Sequence, residues 1–93
     1  MRATIEVEKT GDTVYTVTVE QAGDRTTHRV TATPEAVRRY GGGTPAEGLL
    51  EESFRFLLER EPQEAILRSF ELPVIERYFP EYPDEIRRRM ATG

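Results

Sequence analysis

The sequence predicts an α+β fold, with a three-stranded antiparallel β-meander followed by a long central helix and two or three short helices packed on one face. Three observations support this class. Residues 3–33 contain three runs of alternating apolar and polar side chains, residues 44–60 have helical periodicity, and prolines divide the remainder into short segments. At 93 residues the chain is predicted to form one domain, residues 1–93, with its helical part at 34–90.

The first two strands are predicted from the runs ATIEVEK and VYTVTVE, in which every second side chain is apolar. In an antiparallel pair, side chains on the same face lie opposite each other. This requirement pairs Val7 with Val17 and Ile5 with Val19.

The third strand follows a turn in the segment AGDR, residues 22–25. We interpret this segment as a two-residue hairpin connection that places Val19 opposite His28 and Val17 opposite Val30. The apolar faces of all three strands then agree. The opposite face carries threonines and charged residues, and we expect it to contact solvent.

A short helix is predicted over residues 34–40, PEAVRRY, with Thr33 as its N-cap and Gly41 as its C-terminal glycine. The glycines at 41–43 are interpreted as a helix terminator followed by a flexible joint. A phosphate-binding loop is the alternative, but the lysine and hydroxyl residue of such a loop are missing and no strand precedes it.

The central helix is predicted over residues 44–60, TPAEGLLEESFRFLLER. Thr44 is a suitable N-cap, and Glu47 completes a capping box with it. Pro62 disfavours helical geometry just beyond the C-terminal end. The apolar arc of this helix covers about 200°, against roughly 100° for a helix lying on one surface. Either the sheet and the later helices of the same chain cover this arc, or a second subunit covers part of it.

Prolines begin each of the remaining predicted elements. Pro62 begins a helix that runs to about Phe70, and Pro73 begins one or two helical turns in PVIERYF. A last short helix is predicted over residues 84–90, DEIRRRM. The run SFRFLLEREPQEAILRSFELPVIERYFPEYPDEI resembles a group of small uncharacterised prokaryotic proteins. That resemblance covers residues 50–86 and implies no activity, cofactor or site.

Charge and composition restrict the classes of function. The formal net charge is −4, and residues 45–85 carry eleven acidic and four basic side chains, which disfavours a general phosphate-binding surface. No apolar run has transmembrane length and the N-terminus has no apolar signal region, so we expect a cytoplasmic location and no membrane partner.

Candidate catalytic and metal-binding residues are few. His28 is the only histidine and the chain has no cysteine, so a tight zinc site is not expected and no cofactor is predicted. We interpret His28 as a partly buried side chain with one hydrogen bond rather than a general base. The paired carboxylates at 51/52, 59/61 and 81/84/85 are interpreted as solvated helix and turn positions. An enzyme is therefore not favoured.

Aromatic residues concentrate among prolines in the stretch YFPEYP, residues 78–83, and tyrosine and arginine are frequent at protein interfaces. The sequence predicts a non-enzymatic interaction module that self-associates or acts as a regulatory subunit. Its candidate interface residues are Phe56, Tyr78, Phe79, Tyr82, Arg87 and Arg88. In the alternative interpretation, Tyr78 and Phe79 only cap the core. A second hypothesis is a nucleic-acid-associated regulator that uses Arg38, Arg39 and the arginines at 87–89.

Overall fold

The computed structural model describes residues 3–92, and within that range it has an α+β architecture with a four-stranded sheet and four α-helices. Residues 1, 2 and 93 of the predicted domain lie outside the described range. The elements in chain order are β1 (Thr4–Lys9), β2 (Val14–Gln21), β3 (Asp24–Thr31), α1 (Pro34–Gly41), α2 (Ala46–Leu58), a 3₁₀ turn (Gln63–Ala65), β4 (Ser69–Glu71), α3 (Val74–Tyr78) and α4 (Tyr82–Thr92).

The sheet has the order β1-β2-β3-β4, and β4 runs parallel to β3. Strands β1 to β3 form an antiparallel meander, but the sheet has a fourth, parallel strand that was not predicted. The helix predicted from Pro62 to about Phe70 is wrong, because β4 occupies the end of that segment. After the 3₁₀ turn the chain is extended, because backbone groups on the edge of β3 bond to it. The Arg29 N–H donates to the Arg68 carbonyl at 2.7 Å, and the Leu72 N–H donates to the Thr31 carbonyl at 2.9 Å.

The first hairpin has the predicted register, with Val7 opposite Val17 and Ile5 opposite Val19. The second hairpin differs from the prediction by two residues, since Val17 lies opposite His28. The turn is centred on Ala22 and Gly23, whose φ angles are 54° and 86°. Two successive positive φ angles match the right-handed twist of a hairpin. A shift of two residues leaves every side chain on its predicted face.

The apolar face of the sheet lies toward the helices, and the opposite face contacts solvent as predicted. Glu6, Glu8, Thr27 and Arg29 are all exposed on that outer face. Strand β1 forms one edge of the sheet and ends in exposed charged residues. Such charges discourage pairing with a strand from another chain.

Helix α2 begins at Ala46, one residue later than predicted from an N-cap at Thr44, and the predicted capping box does not form. The hydroxyl of Thr44 instead donates a hydrogen bond of 2.9 Å to the Gly41 carbonyl, across the glycine turn. Pro45 takes the N-cap position without a side-chain hydrogen bond. The Thr44 hydroxyl therefore bonds within the glycine turn instead of capping the N-terminus of α2, which was the prediction.

The wide apolar arc of α2 is covered by the same chain. The helix packs against β1, α1 and α4. Its buried side chains are Leu49, Leu50, Ser53, Phe54, Phe56 and Leu57. Coverage by the sheet and later helices, one of the two alternatives, is thus what the fold contains.

Helix α4 joins α2 through a buried pair of hydroxyl groups. The Ser53 hydroxyl donates to the Leu49 carbonyl at 2.8 Å, so Tyr82 must donate to Ser53 across their 2.7 Å contact. Burial of the Tyr82 phenol raises its pKa, which keeps the group protonated as a donor.

We expect Tyr82→Phe to lower the free energy of unfolding by about 1 kcal/mol, because it removes one buried hydrogen bond and leaves the ring in place. Ser53 retains its bond to Leu49 in this variant. Urea denaturation of both proteins measures the difference. Exposed Tyr78→Phe is the matched control and should change stability little. Equal stability of Tyr82→Phe and the parent protein would contradict the buried bond.

Helix α1 confirms the predicted short helix and its cap, since the Ala36 N–H donates to the Thr33 hydroxyl. The left-handed C-terminal glycine is Gly42, one residue later than predicted, with φ 62°. The buried Tyr40 ring contacts Tyr82 at 5.1 Å between centroids, and its hydroxyl donates to Glu76 of α3 at 2.8 Å. Burial, together with this hydrogen bond, raises the pKa of Tyr40 to about 12.

The two last helices correspond to predicted elements. Helix α3 occupies the predicted turns after Pro73 and packs against β4 and α4. Helix α4 begins at Tyr82, two residues before the predicted start, and Pro83 lies in its first turn, where a missing N–H has no helical partner to lose.

Candidate functional site

The predicted interface residues separate into a buried and an exposed group. Phe56 and Tyr82 have no exposed surface, so neither is available to a partner in this conformation. Phe79 is half-buried, whereas Tyr78 is 65% exposed. The structure therefore brings only Tyr78 and Phe79 together at a surface.

The buried Phe56 ring lies within a cluster of aromatic and arginine side chains. Tyr82 packs against it at 5.3 Å and Phe79 at 5.9 Å between ring centroids. The Arg60 guanidinium lies 3.7 Å from the centre of its ring and donates to Glu81 at 3.0 Å. Stacking and ion pairing together hold Arg60 on the surface of this cluster.

Arg87 and Arg88 are exposed on α4, and each pairs with an acidic residue one turn earlier. Arg87 lies 3.5 Å from Asp84, and Arg88 lies 2.9 Å from Glu85. The next arginine, Arg89, pairs with Glu59 and Glu85. These carboxylates reduce the positive potential that a phosphate-binding surface requires.

An apolar groove of about 150 Å³ lies between the end of α2, the 3₁₀ turn, β4 and α3. Leu67, which is 46% exposed, and Tyr78 both line it, and they are the large hydrophobic side chains exposed in residues 3–92. The other lining residues are Leu57, Glu61, Ala65, Ile66, Phe70, Val74, Ile75 and Phe79. Because exposed apolar side chains line its concave surface, this groove is a candidate binding site.

One wall of the groove is held to the sheet by side-chain hydrogen bonds. The buried Gln63 amide nitrogen lies 3.2 Å from the Val19 carbonyl, 3.3 Å from the Asp24 carbonyl and 3.3 Å from the Thr26 hydroxyl. His28 Nδ1 lies 2.9 Å from the Leu67 carbonyl. Two buried polar side chains thus fix the 3₁₀ turn and the strand that follows it.

His28 is more buried than the sequence predicted and has two hydrogen bonds rather than one. Because the Leu67 carbonyl only accepts, Nδ1 carries the proton, and Nε2 accepts from the Thr26 hydroxyl at 2.9 Å. Burial lowers the pKa of His28 and favours this neutral form. Both ring nitrogens are occupied and the side chain is 1% exposed, so its position suits a structural role.

Glu61 is the one carboxylate among the residues that line the groove. Burial raises its pKa, and no ion pair with it forms among residues 3–92. Glu59, two residues earlier, differs in this respect because a hydrogen bond from Arg89 lowers its pKa. The predicted carboxylate pair 59/61 is therefore divided between an ion-paired surface and the groove.

Comparisons with protein-family models, with curated proteins and with solved structures gave no significant match to this chain.

Among residues 3–92, no three histidine, cysteine, aspartate or glutamate side chains are grouped so as to hold a metal ion. No helix in the same range combines the length and apolar character needed to cross a bilayer.

Of the residues that line the groove, the predicted interface included Tyr78 and Phe79 but not Leu67, and Glu61 was interpreted as a solvated carboxylate. The helix predicted from Pro62 to about Phe70 contains Leu67 among its apolar residues. In the extended segment after the 3₁₀ turn, Ile66 faces the core and Leu67 faces outward. A signal was present in SFEL, residues 69–72, whose alternation of polar and apolar side chains is typical of a strand.

Proposed function

We propose that this protein is a small, non-enzymatic interaction module that binds a segment of a partner protein in the groove lined by Leu67 and Tyr78. The observation that carries this proposal is the position of these two exposed hydrophobic side chains, which line the same concave surface. A partner that buried them would remove apolar area from water, which is the main favourable term in association.

Several features favour a different protein over a second copy of this chain. The arc of α2, which suggested self-association, is already covered within the monomer. Two copies would each bring a net charge of −4 and a groove carboxylate to the interface. A stable dimer also buries roughly 1,600 Å² in total, which is far more surface than a groove formed by ten residues offers.

The nucleic-acid hypothesis has less support. Its strongest feature was the arginine run at 87–89, and each of these arginines lies beside a carboxylate. The acidic balance of residues 45–85 also repels phosphate. An enzymatic function has no comparable support, since His28 has no carboxylate partner and both its nitrogens are bonded.

The proposal is tested by selecting peptides from a random library displayed on phage, with the full chain as bait. The double variant Leu67→Ser/Tyr78→Ser should lose the selected peptides, because it removes the apolar contact surface. The matched control Leu67→Met/Tyr78→Phe keeps that surface and should retain them. Since both side chains are exposed, neither variant should change stability by more than about 1 kcal/mol.

Two results would overturn the proposal. One is a library that yields no peptide whose binding depends on Leu67 and Tyr78. The other is a concentration-dependent dimer, measured by light scattering, that the serine variant abolishes. The second result would assign the groove to another copy of this chain.

A further inference from the structure

The groove contains one charged group whose surroundings differ from those of the other surface carboxylates. Glu61 lines an apolar concavity, and burial raises the pKa of its carboxyl group. A carboxylate in that position loses part of its hydration without gaining an ion pair in return. The arrangement costs free energy in the unbound protein and would be relieved by a cation from outside.

The arginines nearest in sequence are paired elsewhere. Arg60, the residue before Glu61, lies on the Phe56 ring and bonds to Glu81. Arg55 pairs with Glu51 at 3.0 Å along α2. The groove therefore keeps a free negative charge next to its apolar lining, and both are positioned for the same ligand.

From this juxtaposition we propose that the groove recognises a peptide segment in which an aliphatic or aromatic anchor lies next to an arginine or lysine. The anchor packs between Leu67 and Tyr78, and the basic side chain forms an ion pair with Glu61. This inference rests on the proposed function, since it specifies the chemistry of the segment that the groove would bind.

Physical chemistry favours a basic group over a neutral one at this place. A hydrogen bond between ions is roughly twice as strong as one between neutral groups, and it strengthens when water is excluded. Arginine also presents a planar donor pair that matches a carboxylate. The acidic balance of residues 45–85 attracts a basic segment before contact and repels an acidic one.

The test uses pairs of synthetic peptides based on those selected against the full chain. In one member of each pair the arginine beside the anchor is replaced by citrulline, which has a similar shape without the charge, or a lysine by norleucine. The basic peptide should bind the wild-type protein roughly tenfold more tightly than its neutral counterpart, as measured by calorimetry. Glu61→Gln should abolish this difference.

Glu64→Gln is the matched control, since Glu64 is an exposed carboxylate of the adjacent 3₁₀ turn that does not line the groove. This variant should keep the tenfold preference. Glu61→Gln should also fold with undiminished stability at neutral pH, because it removes a charge that the unbound fold does not pair. A loss of binding by unfolding is thereby distinguished from a loss of recognition.

The outcomes separate the two proposals. Peptides that need Leu67 and Tyr78 but show no preference for a basic residue would overturn the role of Glu61 and leave the docking groove intact. A preference that persists in Glu61→Gln would have the same meaning. If no selected peptide depends on Leu67 and Tyr78, both proposals fail.

Discussion

Replacing Phe56 with alanine is expected to lower the free energy of unfolding by about 3–5 kcal/mol, the usual cost of removing a buried aromatic ring. The ring has no exposed surface and packs against Tyr82, Phe79 and the Arg60 guanidinium. Its removal leaves a cavity where α2, α4 and the segment between α3 and α4 meet. Urea denaturation followed by circular dichroism measures the loss.

Phe79→Ala is the matched control for this substitution, because Phe79 belongs to the same cluster but is only half-buried. It should lose clearly less stability than Phe56→Ala. A loss below about 1 kcal/mol for Phe56→Ala would contradict the buried position. Such a result would restore Phe56 as an interface residue, the role that the sequence alone predicted for it.

Stability is expected to decrease as the pH falls from 7.5 to 5.5, and His28 is the cause. Burial lowers the pKa of His28 in the folded protein, whereas in the unfolded chain it titrates near 6.5. The unfolded state therefore takes up the proton first, and the free energy of unfolding falls as pH drops below that value. Protonation would also turn Nε2 into a donor, so that it no longer accepts from the Thr26 hydroxyl.

The control variant His28→Phe keeps an aromatic ring but does not titrate, so its stability should change less over this pH range. At pH 7.5 it should be less stable than the parent by about 1–3 kcal/mol, because the Leu67 carbonyl loses its donor. Burial raises the pKa of Glu61, so the folded protein takes up this proton first and Glu61 favours folding as the pH falls, opposite to His28. Since both proteins contain Glu61, the difference between their pH profiles isolates His28. Identical profiles would contradict the account.

The parts of the fold that the sequence predicted are those determined by local pattern. Alternation in the first two strands gave the correct pairing of Val7 with Val17, because a half-buried strand repeats every two residues. The second hairpin kept the correct faces but shifted by two residues. Whether a residue has an odd or an even position in a strand determines which face of the sheet its side chain occupies. The pairing register depends instead on which two residues of the turn adopt positive φ.

The parts that the sequence missed depend on contacts between distant segments. Strand β4 has only three residues, and each of them pairs with a β3 residue forty positions earlier in the chain. The Thr44 hydroxyl could either cap α2 or donate to the Gly41 carbonyl. It does the second, because the glycine turn brings that carbonyl within 2.9 Å of it. Likewise, the width of the α2 arc indicated extensive burial, but which segment covered it depended on the tertiary fold.

The candidate site was predicted in part. The concentration of aromatic residues among prolines pointed to Tyr78 and Phe79, and both line the groove. Tyr82 was included for the same reason, yet it lies in the core and donates to Ser53. Leu67 was missed because its exposure depends on the extended backbone beyond the 3₁₀ turn, which a helical interpretation of that segment conceals. Glu61 was interpreted as one of a solvated pair of carboxylates, although it is partly buried at the groove.

The most direct test of groove binding is a map of backbone amide chemical-shift changes when a selected peptide is added to the isotopically labelled protein. We predict that the largest changes lie within residues 61–79, with Leu67 and Tyr78 among them. The outer face of the sheet should change little. Changes centred instead on the exposed face of α4 around Arg87 and Arg88, or on the edge formed by β1, would contradict the proposed site.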